Sequence, residues 1–136
     1  MTDETYLDRQ PAIRVMPRPK DTNTAGDIFG GWMMSQVDIA GSIEAFKQAQ
    51  GRVATVAVNT FTFHKPVFVG DVVSLYAEVV RIGNTSITVD VVVYAERSGN
   101  HGANFGERVK VAEATLTYVA IDESRRPRPV AKLKTN

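Results

Sequence analysis

Asp38 stands in the middle of GWMMSQVDIAGSIEAFKQAQ, residues 31–50, a run dominated by apolar and small residues. In a helix its neighbours three, four and seven positions away are Gly31, Met34, Ser35, Gly41, Ser42 and Ala45. Most are small, so a second backbone or a ligand can come close. A carboxylate there is far from the helix N-terminus that would favour it, and burying an unpaired ion is costly. Such a group either lies on a polar flank or acts as a base or nucleophile. Upstream, Asp27-Ile28-Phe29-Gly30-Gly31 brings two glycines to a helix start, where backbone N–H groups are unshielded and lack intrahelical partners. With the positive end of the helix dipole they offer a seat for an anion, and in acyl transfer that anion is the developing oxyanion. A glycine pair also serves as a plain tight turn. Asn23, in Asp21-Thr22-Asn23, can orient a water or a carbonyl, although a loop Asn more commonly shapes its own turn.

The elements that must position these residues follow from pattern. Ala12 to Met16 predicts a short first strand, ended by Pro17 and Pro19. Alternation then fails between Gly31 and Gln50, where Trp32, Ile39, Ile43 and Phe46 keep a three- and four-residue rhythm broken only by the polar Gln36. This predicts one helix of about 20 residues, roughly 30 Å long, closed by a left-handed cap at Gly51. Val53 to His64, Asp71 to Ile82, Thr85 to Glu96 and Glu107 to Ala120 read as strands, with Gly83-Asn84 as a two-residue turn between the second and third of these. Within 85–96, Ile87, Val89, Val91, Val93 and Ala95 share one face. Within 53–64, Val56 and Val58 oppose Phe61 and Phe63. Ser98 to Gly106 is a loop, and Arg125 to Val130 a basic, proline-broken tail. One strand, a long helix and four long strands predict an α+β domain in which the sheet curls around the helix. Apolar residues on both faces of several strands leave one face needing cover, for which a second copy of the chain is the simplest source.

The 136 residues fit one domain, with a core at about 12–122 and a basic tail at 123–136. A net charge of +1 gives no overall attraction to nucleic acid or membranes. The absence of cysteine removes disulfides, thiolate metal sites and cysteine nucleophiles. His64 and His101, the only histidines, are far apart in the chain, so no metal centre is expected, and no Gly-x-Ser-x-Gly elbow exists for a serine nucleophile. The polar N-terminus reads as no signal peptide, and no apolar run is long enough to span a bilayer; the expected location is the cytoplasm.

The blocks DTNTAGDIFGGWMMSQVDIAG, GRVATVAV, FHKPVFVGDVV and GNTSITVDVVVYAE, in this order and spacing, resemble the hotdog-fold acyl-CoA thioesterases, and in particular the small bacterial broad-range acyl-CoA hydrolases. The resemblance covers roughly residues 12–130. It implies a hotdog fold, a long central helix wrapped by a five-stranded antiparallel sheet, in a homodimer or a trimer of dimers. It also implies hydrolysis of acyl-CoA, which is substrate and not cofactor, without a further cofactor. Asp38 matches the family's helical acid, which acts as general base or nucleophile. Asn23 matches a loop Asn that positions water or substrate, usually from the partner subunit, and Gly31 the glycine whose N–H polarises the thioester carbonyl. Many relatives carry His where this chain has Phe29, so no side-chain role in orientation is expected there.

Coenzyme A carries phosphates that should meet local positive charge. Candidates are Lys65, the Asn84-Thr85-Ser86 hairpin, and Arg125, Arg126 and Arg128. Relatives often have a basic residue at the position of Asn84, which here lacks the charge. Trp32, Met33 and Met34 are candidates for an acyl tunnel or for plain core. Two other functions fit the pattern less well. A non-catalytic acyl-CoA binding module would gain nothing from Asp38, and a hotdog dehydratase would carry a His in the loop that holds Asn23.

Overall fold

Segments rich in β-branched and aromatic residues extend, and the one stretch with a helical rhythm coils. The computed structural model, which describes residues 9–100 and 102–130, runs β1 (Ile13–Val15), a 3-10 turn (Pro19–Asp21), α1 (Gly30–Ala49), β2 (Val53–Phe63), β3 (Val72–Ile82), β4 (Ser86–Glu96) and β5 (Arg108–Ala120). The strands form one antiparallel sheet in the order β1-β3-β4-β5-β2. Each long strand begins and ends within one residue of its expected limits. The helix lies across the sheet's inner face, the hotdog arrangement. Ile87, Val89, Val91, Val93 and Ala95 are all fully buried beneath it, as their alternation requires. No helix is long and apolar enough to cross a membrane. His101 lies outside the described residues, as do residues 1–8 and 131–136.

Four expectations are corrected. Of the apolar rhythm Trp32, Ile39, Ile43 and Phe46, none is fully buried and only Trp32 packs against the core. The buried face of the helix is Met33, Val37, Ala40, Gly41, Ala45 and Ala49, while Ile39 and Phe46 are 49% and 53% exposed. Small residues on the sheet side let the helix sit close, and Met34, Ile39 and Phe46 are turned outward. The left-handed cap falls on Gln50 (φ 53, ψ 43) and not on Gly51. Gly51 has another duty, since a Cβ there would lie 2.7 Å from Arg128 Nη2. In β2, register shifts between Thr55 and Ala57 and between Val58 and Thr60 mark two bulges. Each extra residue reverses the alternation, so Val58 joins Phe61 and Phe63 on the inner face instead of opposing them. Finally, the hairpin tip is Asn84-Thr85. Gly83 already pairs, donating its N–H to Ser86 O at 2.8 Å.

In the described part of the basic tail, Arg128 and Val130 are docked, while Arg125 and Arg126 are exposed. Arg128 N donates to Ala120 O and Val130 N to Asn84 O, and the Val130 side chain enters the core. Arg128 Nη2 donates to Ala49 O at 2.9 Å, placing a cation at the negative end of α1. At the other end of the helix, Ile28 N donates to Val67 O at 2.9 Å. Val67 belongs to the loop between β2 and β3, fastened by a buried ion pair of Asp71 with Arg97. Asp71 also accepts from Phe68 N at 2.9 Å, and Arg97 Nη1 donates to Pro66 O at 3.1 Å.

Candidate active site

Asp38 is half-buried at the border between the packed and the open flank of α1. Thr55 on β2 and Tyr118 on β5 are register partners, and both reach the helix at this point. Thr55 Oγ1 donates to Asp38 Oδ1 at 2.7 Å. The Tyr118 hydroxyl is shared between the Asp38 main-chain carbonyl at 2.8 Å and Oδ1 at 3.1 Å. Burial, reinforced by the neighbouring Asp38 carboxylate, pushes the Tyr118 hydroxyl well above the ordinary tyrosine range, so it remains a donor. Gly41 makes the approach possible: a Cβ there would lie 2.4 Å from the Tyr118 hydroxyl. One carboxylate oxygen is thus fixed by two hydroxyls. The other has no hydrogen bond and no ion pair among the described residues, and is left to act as a base or nucleophile.

The start of α1 is built for an acceptor. Phe29 N donates to Asp21 O at 2.9 Å, and the first intrahelical bond is Met33 N to Phe29 O at 3.3 Å. No side chain caps the helix and no acidic residue lies in its first turn. The amides of Gly30, Gly31 and Trp32 therefore have no partner among the described residues. Around Gly31 a Cβ would meet nothing within 4 Å, so its N–H is open to a ligand. Asn23 sits in the adjoining loop, closed by the Thr22–Ile28 bridge. Its Oδ1 accepts from Ala25 N at 2.9 Å and Asp27 N at 3.2 Å, leaving the side-chain NH2 as the group that can still donate.

Asn23 and Gly31 thus share one end of the helix, but Asp38 does not join them. Seven residues separate Gly31 from Asp38, two turns and about 10.5 Å along the axis on the same flank. That flank also displays Met34, Ile39 and Phe46, and beside it Val58 and Phe63 of the edge strand β2 are exposed. Among the described residues, nothing in the chain covers this apolar face.

The phosphate candidates divide. Lys65 is exposed beside Val111, near the start of β5, and its N–H donates to Val111 O. Asn84 and Thr85 border the docked tail and Ala120, at the other end of β5, with Ser86 next to them. Nine residues of strand, roughly 30 Å, lie between the two groups, so they do not form one site within a chain. Arg125 and Arg126 are exposed on a turn organised by Asp122 Oδ1, which accepts from Ser124 N and Arg126 N. Arg128 is committed to the helix end. Of the tunnel candidates, Met33 is core, Trp32 packs against the core, and Met34 is on the open flank. His64 faces Glu113 at 3.5 Å on the sheet, away from the helix. No cluster of metal-ligating side chains occurs among the described residues.

Sequence reasoning passed over Thr55 and Tyr118, and saw in Gly41 only one of several small residues that permit close approach. Their contacts with Asp38 depend on register and long-range packing, and no local motif marks them. It also passed over a cleft of about 550 Å³ lined by Ser42, Ile43, Phe46, Lys47, Arg52 and Val53, one turn beyond Asp38.

Known proteins resemble this chain in sequence and fold. Residues 25–100 match the Thioesterase superfamily. The acyl-CoA thioester hydrolase YciA of Salmonella typhimurium is 45% identical over 130 residues, covering 93% of this chain and 96% of that protein. A hexameric thioesterase from Yersinia pestis superposes with a TM-score of 0.83 at 45% identity, covering 92% of this chain and 98% of the other. An acyl-CoA hydrolase from Staphylococcus aureus, solved with butyryl coenzyme A, gives a TM-score of 0.77 at 30% identity, with coverage of 87% and 69%. The family match over residues 25–100, with a relative 45% identical over nearly the whole chain, places this protein in the thioesterase superfamily.

Proposed function

We propose that the chain hydrolyses acyl-CoA thioesters, with each centre assembled between two copies. Asp38 and Thr55 come from one copy, Asn23 and the Gly31 N–H from the other. The observation that carries the reading is the Asp38 carboxylate, one oxygen held by two hydroxyls and the other open on an apolar face that the described residues leave bare. A second copy covering that face also brings an uncapped helix start to the carboxylate. The hexameric relatives are consistent with three such dimers.

In the reaction, water adds to the thioester carbonyl as Asp38 Oδ2 takes its proton, and the Gly31 N–H receives the oxyanion. Collapse breaks the C–S bond and expels the coenzyme A thiolate, which is a good leaving group and needs little acid assistance. Acyl-CoA and water give carboxylic acid and thiol, and no other reactant is required. Direct attack by Oδ2 would instead pass through a mixed anhydride; in single-turnover hydrolysis in 18O-water, label in Asp38 marks that route when water opens the anhydride at the Asp38 carbonyl, an outcome general-base hydrolysis does not give. The cleft beyond Ser42, apolar on its floor at Ile43, Phe46 and Val53 and edged by Lys47 and Arg52, suits a substrate that is apolar in part and phosphorylated in part. The exposed Lys65, Asn84-Thr85-Ser86 hairpin, Arg125 and Arg126 are further phosphate contacts, drawn from more than one copy.

The test is Asp38→Asn, assayed by release of free thiol from acyl-CoA. Turnover should fall at least ~100-fold, the scale of losing a general base. Equal rates would remove the catalytic reading and leave a binding protein.

A further inference from the structure

The carboxylate of a helical acid has two oxygens of equal chemical competence, and something must decide which one faces the substrate. Around Asp38 that decision is made from the sheet. Tyr118 is fully buried, rises from β5, and places its hydroxyl against both the main-chain carbonyl and Oδ1 of Asp38. Its reach requires a gap in the helix wall, and the gap is Gly41, three residues on from Asp38. An added Cβ would stand 2.4 Å from the hydroxyl oxygen and 3.1 Å from Cζ. A glycine inside a helix costs about 1 kcal/mol relative to alanine, so this position carries a cost that close approach explains. Thr55 alone could rotate with the carboxylate it touches. Tyr118 is anchored to the backbone carbonyl of Asp38 as well, and so ties the side chain to the helix that bears it.

We propose that Tyr118, admitted by Gly41, is a positioning residue that locks the Asp38 carboxylate with Oδ1 inward and Oδ2 toward the thioester. The proposal rests on Asp38 being the catalytic acid. It assigns Tyr118 no contact with substrate, so its loss should lower turnover and spare binding.

The experiment compares the purified wild type with Asp38→Asn, Tyr118→Phe, Gly41→Ala, Gly41→Ala/Tyr118→Phe and Asp38→Asn/Tyr118→Phe. Circular dichroism and sedimentation establish the folded assembly of each. Tyr118→Phe, which removes one oxygen, should lower kcat about tenfold with KM within about twofold, the order of a lost hydrogen bond to a charged group. Gly41→Ala should do the same by displacing the hydroxyl, and the Gly41→Ala/Tyr118→Phe double variant should be no worse than the poorer single one. In the Asp38→Asn background, Tyr118→Phe should cost little more, whereas a loss from general loosening would persist there. A folded Tyr118→Phe protein with wild-type kcat overturns the positioning role while leaving Asp38 intact. Full multiplication of the two losses in Asp38→Asn/Tyr118→Phe overturns it too. If Asp38→Asn itself keeps wild-type rate, the underlying reading fails instead, and the two results cannot be confused.

Discussion

Mixing two inactive variants should restore activity, because the halves of the centre lie too far apart in one chain. A thioester carbonyl must find its oxyanion donor about 3 Å from its oxygen and the base within one water of its carbon. The two protein groups can then be only about 6–7 Å apart. In a single chain, seven residues of helix put Gly31 and Asp38 about 10.5 Å apart along the axis. The proposed centre therefore pairs Gly31 of one copy with Asp38 of another. Asp38→Asn removes the carboxylate, and Gly31→Pro removes the N–H at a first-turn position where proline is tolerated. Each protein alone should be nearly inactive. Co-expressed with two different affinity tags and allowed to pair at random, about half the dimers are mixed, and each mixed dimer holds one intact and one doubly defective centre. The pool should regain about one quarter of wild-type kcat per dimer, and material purified through both tags about one half. Thiol release from acyl-CoA measures this directly. A doubly tagged assembly as inactive as its parents would refute the shared centre, as would a fully active Gly31→Pro protein.

Three further outcomes follow from the packing. Asp71→Asn leaves the Arg97 guanidinium buried and unpaired, and should cost about 3–5 kcal/mol in urea unfolding at fixed protein concentration; adding Arg97→Met should recover part of it, and a loss below ~1 kcal/mol would show that the pair does not fasten the loop. The hydrogen bond from Lys110 holds the Glu113 carboxyl below its usual range, against the opposing effect of burial and with further help from Lys110 charge and His64. A lowered folded-state value stabilises above the unfolded value and is lost as pH falls through the folded one. The Tm advantage of wild type over Glu113→Gln should thus be present at neutral pH and vanish in acid, and an advantage undiminished at about pH 3 would contradict it. Arg128→Ala should lower stability by about 1 kcal/mol, the scale of a helix-terminal cation, with KM for acyl-CoA unchanged; a raised KM at unchanged stability would return Arg128 to the phosphate candidates.

The limits of α1 and the strands were legible because the two apolar periods differ, and the change at Gly31 and again after Gly51 is sharp. The orientation of the helix was not. Burial selected Ala40, Gly41, Ala45 and Ala49, which carry little hydrophobic signal, and left Ile39 and Phe46 outside. An apolar helix face left open looks, in sequence, like a face meant for the core. The bulges in β2 were also hidden, since an extra residue changes no composition while it reverses every side chain beyond it. Of the site, Asp38 announced itself as a charge in the wrong place. Tyr118 could not, because a tyrosine alternating into a core is ordinary until register brings its hydroxyl to a carboxylate 80 residues away.

The two ends of α1 are held by different parts of the chain, Ile28 by Val67 at one and Ala49 by Arg128 at the other. A rod pinned at both tips cannot slide. A shift of one residue would carry Asp38 about 1.5 Å, enough to break a hydrogen bond to Thr55 or Tyr118. Lengthening or shortening the helix by a single residue should therefore disable the protein more thoroughly than most substitutions along it, because no adjustment at one tip can be absorbed without dragging the carboxylate out of alignment.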